Sequence, residues 1–432
     1  NAIRGQENVK ILGHFRDATG CTGSRAQNCK RTRLKFFSQF RLENNGENYF
    51  ETGGEYRRPY LPSRIFAVFS ILMDKELYNK NNRVNENINK IYLLFFQSLI
   101  YYLLLYFLYK KVVIFFPKLN SQVSILFLAF EPTIFMYHSS FWSESIFFSL
   151  QLLLIIIILK EKFNIIDLLM IGLLLGILYL QRSVAIFYII PILIFFYFKD
   201  RNTIIKSIFL ISFGYLLIHL IVGFHNYKRS SIFYSTSTQA KDGFYIYLAP
   251  NILAKKLNIS SDNAFNILDE KKREWVLKNN LNLEKEKDRL KFYSYQKDEA
   301  FKIILQNPII SMKVILKKTM HFIIIDPFTH VYYFHKWNLD DGLFYKSNEH
   351  KQLIIPRIIY SAIVYFICLN GIIFLYRDKS NRNFFLFLIL SIFYFGAVQS
   401  WYGGTRYFAP ILIYLSFFFS SGLMHLKKII QK

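Results

Sequence analysis

Cysteine, proline and glycine are scarce in this chain: its 432 residues hold 3 Cys, 10 Pro and 18 Gly. Cys21, Cys29 and Cys368 stand too far apart for a zinc ribbon, and Cys368 lies inside an apolar run, so no disulfide scaffold or redox motif is readable. So little glycine and proline excludes a collagen-like or low-complexity chain. Charge is thin as well. At 19% of residues it is clustered, leaving apolar runs near the about 17–25 residues that cross a hydrocarbon core. A soluble globular protein is excluded by that pattern.

What abounds is apolar and aromatic: 53% of residues are hydrophobic, with 46 Phe and 30 Tyr. Lys and Arg number 54 against 29 Asp and Glu, a net charge of +25. In a soluble chain this excess would point to nucleic acid, but no stacking-aromatic RNA motif or zinc finger accompanies it. A membrane protein accounts for it, because Lys and Arg collect in cytoplasmic loops and near anionic lipid head groups. The lipid bilayer is therefore the expected partner, and nucleic acid is not.

Nine apolar runs are candidate transmembrane helices: 91–109, 122–138, 141–159, 164–180, 184–198, 203–223, 353–376, 384–400 and 408–424. The fold class is thus an all-α polytopic membrane protein with about nine transmembrane helices and a large external loop region. If all nine runs cross, the basic clusters at Lys110 and Lys111, Lys160 and Lys162, Lys199 and Arg201, Arg377 and Lys379, and Lys427 and Lys428 share one side. That side is expected to be the cytoplasm. Four segments follow: an external part over 1–90, six spans over 91–224, an external loop domain over 225–352, and three spans over 353–432.

Within the loop domain, a helical region is expected from Ser261, a suitable N-cap, to Gln306, where Asn307-Pro308 stops it. Residues 309–325 are apolar but carry Lys313, Lys317 and Lys318, which predicts an interfacial helix with snorkelling lysines. Residues 64–73 are too short to cross and are expected at the interface too. Residues 1–40 differ in composition from the rest and begin with Asn. The expectation is that the natural start, with one further membrane helix, is missing; a native arm is the alternative.

Four stretches on the inferred outer face resemble signatures of one superfamily in the order that it uses. Glu55-Tyr-Arg-Arg-Pro-Tyr-Leu-Pro62 resembles the R-P-P-l-Y-P segment of a first external loop in GT-C glycosyltransferases. Glu131-Pro132-Thr133 with Ser143-Glu144-Ser145 resembles their P…s-E signature, and Gly172 to Gly176 with Gln181-Arg182-Ser183 and Pro191 resembles G-l-l-l-G…R-p…P. Gly404-Thr405-Arg406-Tyr407 with Pro410 resembles the R-Y-x-x-P element before the last helix. Tyr60 replaces the second proline of the first signature, and the acidic residue expected early in that loop is not found. The chain is thus similar to polyprenyl-phosphate-sugar-dependent glycosyltransferases, a superfamily that includes protein O-mannosyltransferases and aminoarabinose transferases, with the RgtA/B/C/D-like branch nearest.

The resemblance implies an inverting transfer from a polyprenyl-phosphate sugar donor to a glycan, glycolipid or protein acceptor. It also implies a bacterial inner membrane setting with the active site on the periplasmic face. Such a reaction needs a carboxylate for the acceptor proton and cations for the departing lipid phosphate. Glu144 is the candidate catalytic carboxylate, as base or as an orienting acceptor; a carboxylate in a first helical turn also simply complements the dipole. Arg57, Arg58, Arg182 and Arg406 are candidate phosphate ligands or head-group anchors. Tyr60, Tyr234, Gln239, Tyr245 and Tyr407 complete the substrate-binding set, the middle three from a loop resembling that branch's main loop.

His321, His330 and His335 with Asp326, Asp340 and Asp341 form the densest His/Asp region. Their spacing fits no standard zinc motif, so a divalent metal stays possible and no metal residue or cofactor is assigned. Two other functions compete. A transporter or flippase of a lipid-linked or anionic substrate would show internal repeats and ionisable residues deep in its spans. An endoplasmic-reticulum-type mannosyltransferase acting on a lipid anchor would carry that family's first-loop motifs, which are not found.

Overall fold

The computed structural model describes residues 86–138, 143–199, 203–235, 239–283, 286–325, 353–402 and 405–431. Among them every regular element is helical. The first seven are α1 (Glu86–Phe115), α2 (Lys118–Phe130), α3 (Pro132–His138), α4 (Ser143–Ile158), α5 (Ile165–Gln181), α6 (Ile189–Lys199) and α7 (Ile204–Ser230). Five shorter or more polar helices follow: α8 (Gln239–Tyr247), α9 (Ala249–Leu257), α10 (Ser261–Lys278), α11 (Glu286–Gln306) and α12 (Pro308–Ile323). The chain closes on α13 (Ile354–Arg377), α14 (Arg382–Gln399) and α15 (Ala409–Ile430). The polytopic all-α class is the observed one.

The described residues do not confirm nine spans. Among the described residues five helices are long and apolar enough to cross a membrane, and a sixth is formed if α2 and α3, bent by 54° at Glu131, make one broken span. The remaining three apolar segments, Glu144–Ile158, Ile165–Gln181 and Ser183–Lys199, are shorter. Pro132 explains the bend: it has no N–H to continue the ladder, so α2 ends on the Glu131 N–H to the Phe127 carbonyl and α3 starts anew. The run at 184–198 is interrupted as well, by a 3₁₀ turn over Ser183–Ala185 before α6.

Close helix contacts depend on residues without a Cβ. A Cβ at Gly371 would stand 1.8 Å from the Phe418 carbonyl oxygen, and one at Gly422 would stand 1.8 Å from that of Ile367. α13 and α15 therefore touch backbone to backbone, the arrangement that lipid-embedded helices adopt to gain van der Waals contact. Hydrogen bonds cross-link the same bundle. Tyr188 joins Tyr414 at 2.7 Å and Ser391 at 2.8 Å, and Gln151 donates to the Tyr414 hydroxyl at 3.1 Å.

The polar helices build a second core from Tyr245, Leu248, Ala249, Ile252, Leu268, Ala300, Ile303 and Val314. Ser260, rather than Ser261, caps α10, its side chain accepting from the Asn263 N–H at 3.1 Å. The helical region expected from Ser261 to Gln306 consists of two helices, α10 and α11. Asn280, at φ 47°, lies in the turn between them, where a left-handed residue cannot continue a helix.

Candidate functional site

Two helix ends hold the centre of the candidate site. Glu144 sits in the first turn of α4 with no accessible surface. Arg182 follows the last turn of α5 in an extended conformation, φ −148° and ψ 125°, with its N–H still bonded to the Leu178 carbonyl at 2.9 Å. Leaving the helix at that residue turns its side chain toward α4. Nη1 of Arg182 stands 3.2 Å from Oε1 of Glu144, and both side chains are buried, at 9% and 0% exposure. An apolar position is tolerable for these two charges because each supplies the other's counter-charge.

Aromatic rings cover the guanidinium. It lies 5.7 Å from the Phe147 ring centre and 5.9 Å from that of Tyr407, which belongs to a 3₁₀ turn over Thr405–Phe408 before α15. From Tyr407 the rings continue as a stack. Tyr402 lies 4.4 Å from Tyr407, Trp401 lies 3.8 Å from Tyr402, and Phe244 of α8 lies 4.1 Å from Trp401. Lys318 of α12 reaches this stack and donates to the Tyr402 carbonyl at 3.4 Å. Burial pushes its ammonium down to about 8. His321 is lowered by burial first and then by the charges of Lys317, Lys318 and Arg357.

Behind Glu144 the helix ends are tied together by His138. Its Nδ1 is 2.8 Å from the Ser145 hydroxyl, its ring packs 3.8 Å from Tyr101, and its carbonyl accepts from Gln97 at 2.9 Å. Glu131, at the bend, accepts from the Ile134 N–H at 2.9 Å, the Thr133 hydroxyl at 3.0 Å and the Tyr360 hydroxyl at 3.3 Å. This carboxylate therefore caps α3 and joins it to α13.

Three of the expected residues, Glu144, Arg182 and Tyr407, come together at this point. Tyr234 stands apart, at the exit of α7, where its carbonyl accepts from Asn226 at 2.7 Å. Tyr245 is buried in the second core with its hydroxyl donating to the Leu268 carbonyl, so packing occupies it. Arg57, Arg58 and Tyr60 lie outside the described residues, as do His330, His335, Asp326, Asp340 and Asp341. Gln239 opens α8 and Arg406 precedes Tyr407 in the 3₁₀ turn, and their side chains lie outside the described part as well. Among the described residues no group of three His, Cys, Asp or Glu could hold a metal ion.

Sequence reading passed over His138, Tyr402 and Arg357. His138 and Arg357 stand within apolar runs, and Tyr402 is one tyrosine among many, so a contact across the fold was needed to single out each.

No curated protein and no solved structure matches the chain. Residues 83–225, which carry Glu144, Arg182 and the helices that hold them, match the family model of the dolichyl-phosphate-mannose-protein mannosyltransferases, a family of the GT-C superfamily, and this match supports a membrane glycosyltransferase of the GT-C type.

Proposed function

We propose that the protein transfers a sugar from a polyprenyl-phosphate donor to a glycan, glycolipid or protein acceptor at the extracytoplasmic face of a bacterial inner membrane. The observation that carries this reading is the buried Glu144–Arg182 pair, 3.2 Å apart and roofed by Tyr407. It brings a carboxylate, a phosphate-matching cation and an aromatic face to one place, from three segments that resemble GT-C signatures.

In the proposed reaction the acceptor oxygen attacks the anomeric carbon as the carbon–oxygen bond to the lipid phosphate breaks. The electron pair of that bond leaves with the phosphate, and the acceptor's proton passes to Glu144. At rest the pair is closed and Glu144 has no accessible surface. A donor phosphate competes for Arg182, because a guanidinium binds phosphate oxygens with the same fork that it offers a carboxylate. Drawing Arg182 away exposes the carboxylate to the acceptor, so the base is uncovered only when donor is present. Hydrolysis of the donor is suppressed by the same device.

A mass-spectrometric transfer assay with polyprenyl-phosphate hexoses and pentoses tests the reading. Glu144→Gln should lower turnover by about 10²–10⁴-fold, the usual worth of a general base, in protein that is still folded at the assay temperature. Wild-type turnover in the Glu144→Gln variant would remove Glu144 from the chemistry. A wild-type protein that transfers no sugar from any such donor would end the proposal.

A further inference from the structure

α12 carries two chemistries on two faces. Ile309, Met312, Leu316, Met320 and Ile323, spaced three or four apart, share one side and are 37–65% exposed. Val314 and Phe322 face inward and are buried, Val314 in the second core and Phe322 5.4 Å from Phe408, and the helix packs against the 3₁₀ segments that bear Tyr402 and Tyr407. Lys317, Lys318 and His321 stand on the same helix, and Lys318 reaches the Tyr402 carbonyl. The far end of α12 is pinned to α13: the Tyr365 hydroxyl donates to the Ile323 carbonyl, and the Ile325 N–H donates to Ser361 at 2.9 Å. Arg357, one turn before Ser361, is buried there and shares with Lys317 and Lys318 the field at His321.

The charge at this rim differs from that at the centre. Arg182 is already engaged by Glu144 at 3.2 Å. Neither Lys317 nor Lys318 is ion-paired to a carboxylate among the described residues. A cation cluster beside an exposed apolar stripe matches an amphiphile with an anionic head, since a water-soluble sugar phosphate would use the cations and leave the stripe bare. The ring stack from Trp401 through Tyr402 to Tyr407 then connects the rim to Arg182.

Resting on the reading given under Proposed function, we propose that α12 is the docking rail for the lipid donor. The prenyl chain lies along the stripe of Ile309, Met312, Leu316, Met320 and Ile323. The phosphate sits on Lys318, flanked by Lys317, His321 and Arg357, before it meets Arg182.

The test uses the full chain in phosphatidylcholine nanodiscs and a photoactivatable polyprenyl phosphate, with labelled peptides mapped by mass spectrometry. Label is expected on the peptide covering 308–325, at least tenfold weaker in a Lys317→Gln/Lys318→Gln variant and near wild type in Lys318→Arg. Unlabelled polyprenyl phosphate should compete, and inorganic phosphate or phosphatidylglycerol at equal concentration should not. Competition by phosphatidylglycerol as strong as that by polyprenyl phosphate would overturn the proposal, because α12 would then be a general head-group anchor. Equal competition by inorganic phosphate would overturn the role of the stripe. Should the lysine variants fail to fold, the wild-type label map and the competition series decide. Label confined to other helices with sugar transfer intact defeats the α12 seat alone, whereas neither label nor transfer defeats the donor reading itself.

Discussion

Removing one partner of the Glu144–Arg182 pair should cost far more than removing both. At 3.2 Å and an effective dielectric of about 20, two unit charges attract by about 5 kcal/mol. Breaking a buried pair typically costs about 3–5 kcal/mol, because the survivor stays desolvated without a counter-charge. Arg182→Met should therefore lose about 3–5 kcal/mol, and Glu144→Leu a similar amount. The double variant replaces both charges with apolar volume and should return to within about 1–2 kcal/mol of wild type, since such replacements are often neutral or stabilising. With an unfolding entropy of about 2.1 cal/mol/K per residue, each single loss is a midpoint shift of roughly 3–5 °C. Thermal unfolding of the four proteins in one detergent, followed by tryptophan fluorescence, gives the cycle directly. Single variants that each stay within about 1 kcal/mol of wild type, or a double variant as unstable as the sum of the singles, would refute the claim that these two charges depend on each other.

Three further outcomes follow from other parts of the molecule. Gly371→Leu should destabilise by at least the about 1–3 kcal/mol typical of overpacking, because even its Cβ would collide with the Phe418 carbonyl; an unchanged unfolding midpoint would show that α13 and α15 are not packed this closely. Lys318, its ammonium lowered by burial to about 8, lies beside Lys317, Arg357 and a His321 that burial and these charges hold neutral at that pH; it should lose polyprenyl-phosphate binding as pH rises through about 8, and the loss should shift upward in Lys318→Arg. Folding lowers this pKa, so the folded state sheds the proton first and the penalty on stability is relieved between about 8 and the unfolded value of about 10.4; titrating binding and stability across that window checks both signs. With residues 225–350 outside, an impermeant thiol reagent should label Asp242→Cys and spare Lys379→Cys in intact cells, and the reverse would invert the topology.

Much of the helical skeleton was readable along the chain, because a run of apolar residues must form helix wherever water is absent to satisfy the backbone. The places where the reading was too smooth are local. At Glu131-Pro132 a run that looks continuous bends by 54°, since proline removes one donor and the glutamate side chain starts the next helix. At Asn280 the expected helical region divides into two helices, because a left-handed backbone stops the first. At Ser260 the cap falls one residue earlier than composition suggested, as both serines are equally good caps and only the Asn263 N–H distinguishes them.

By itself the sequence determined the solvent that this protein lives in, where most of its apolar helices run, and which charges stand between them. Those properties are local: a side chain's hydropathy and the backbone's need for hydrogen bonds act over one or two turns. Only the tertiary structure decided which charge meets which. Glu144 read as a catalytic carboxylate or a partner of the helix dipole and Arg182 as a phosphate ligand or head-group anchor, each on its own, and it is the packing of α4 on α5 that makes them a pair. Lys318 read as a snorkelling lysine, and the approach of α12 to the Tyr402 segment turns it toward the aromatic stack instead. Tyr245 stood in the expected substrate-binding set, and the folding of α8 on its neighbours places it in a core with Leu248, Ile252 and Leu268. Coulombic pairing and ring stacking fall off within a few ångströms, so they are set by which surfaces the fold presses together and leave no trace in residue order.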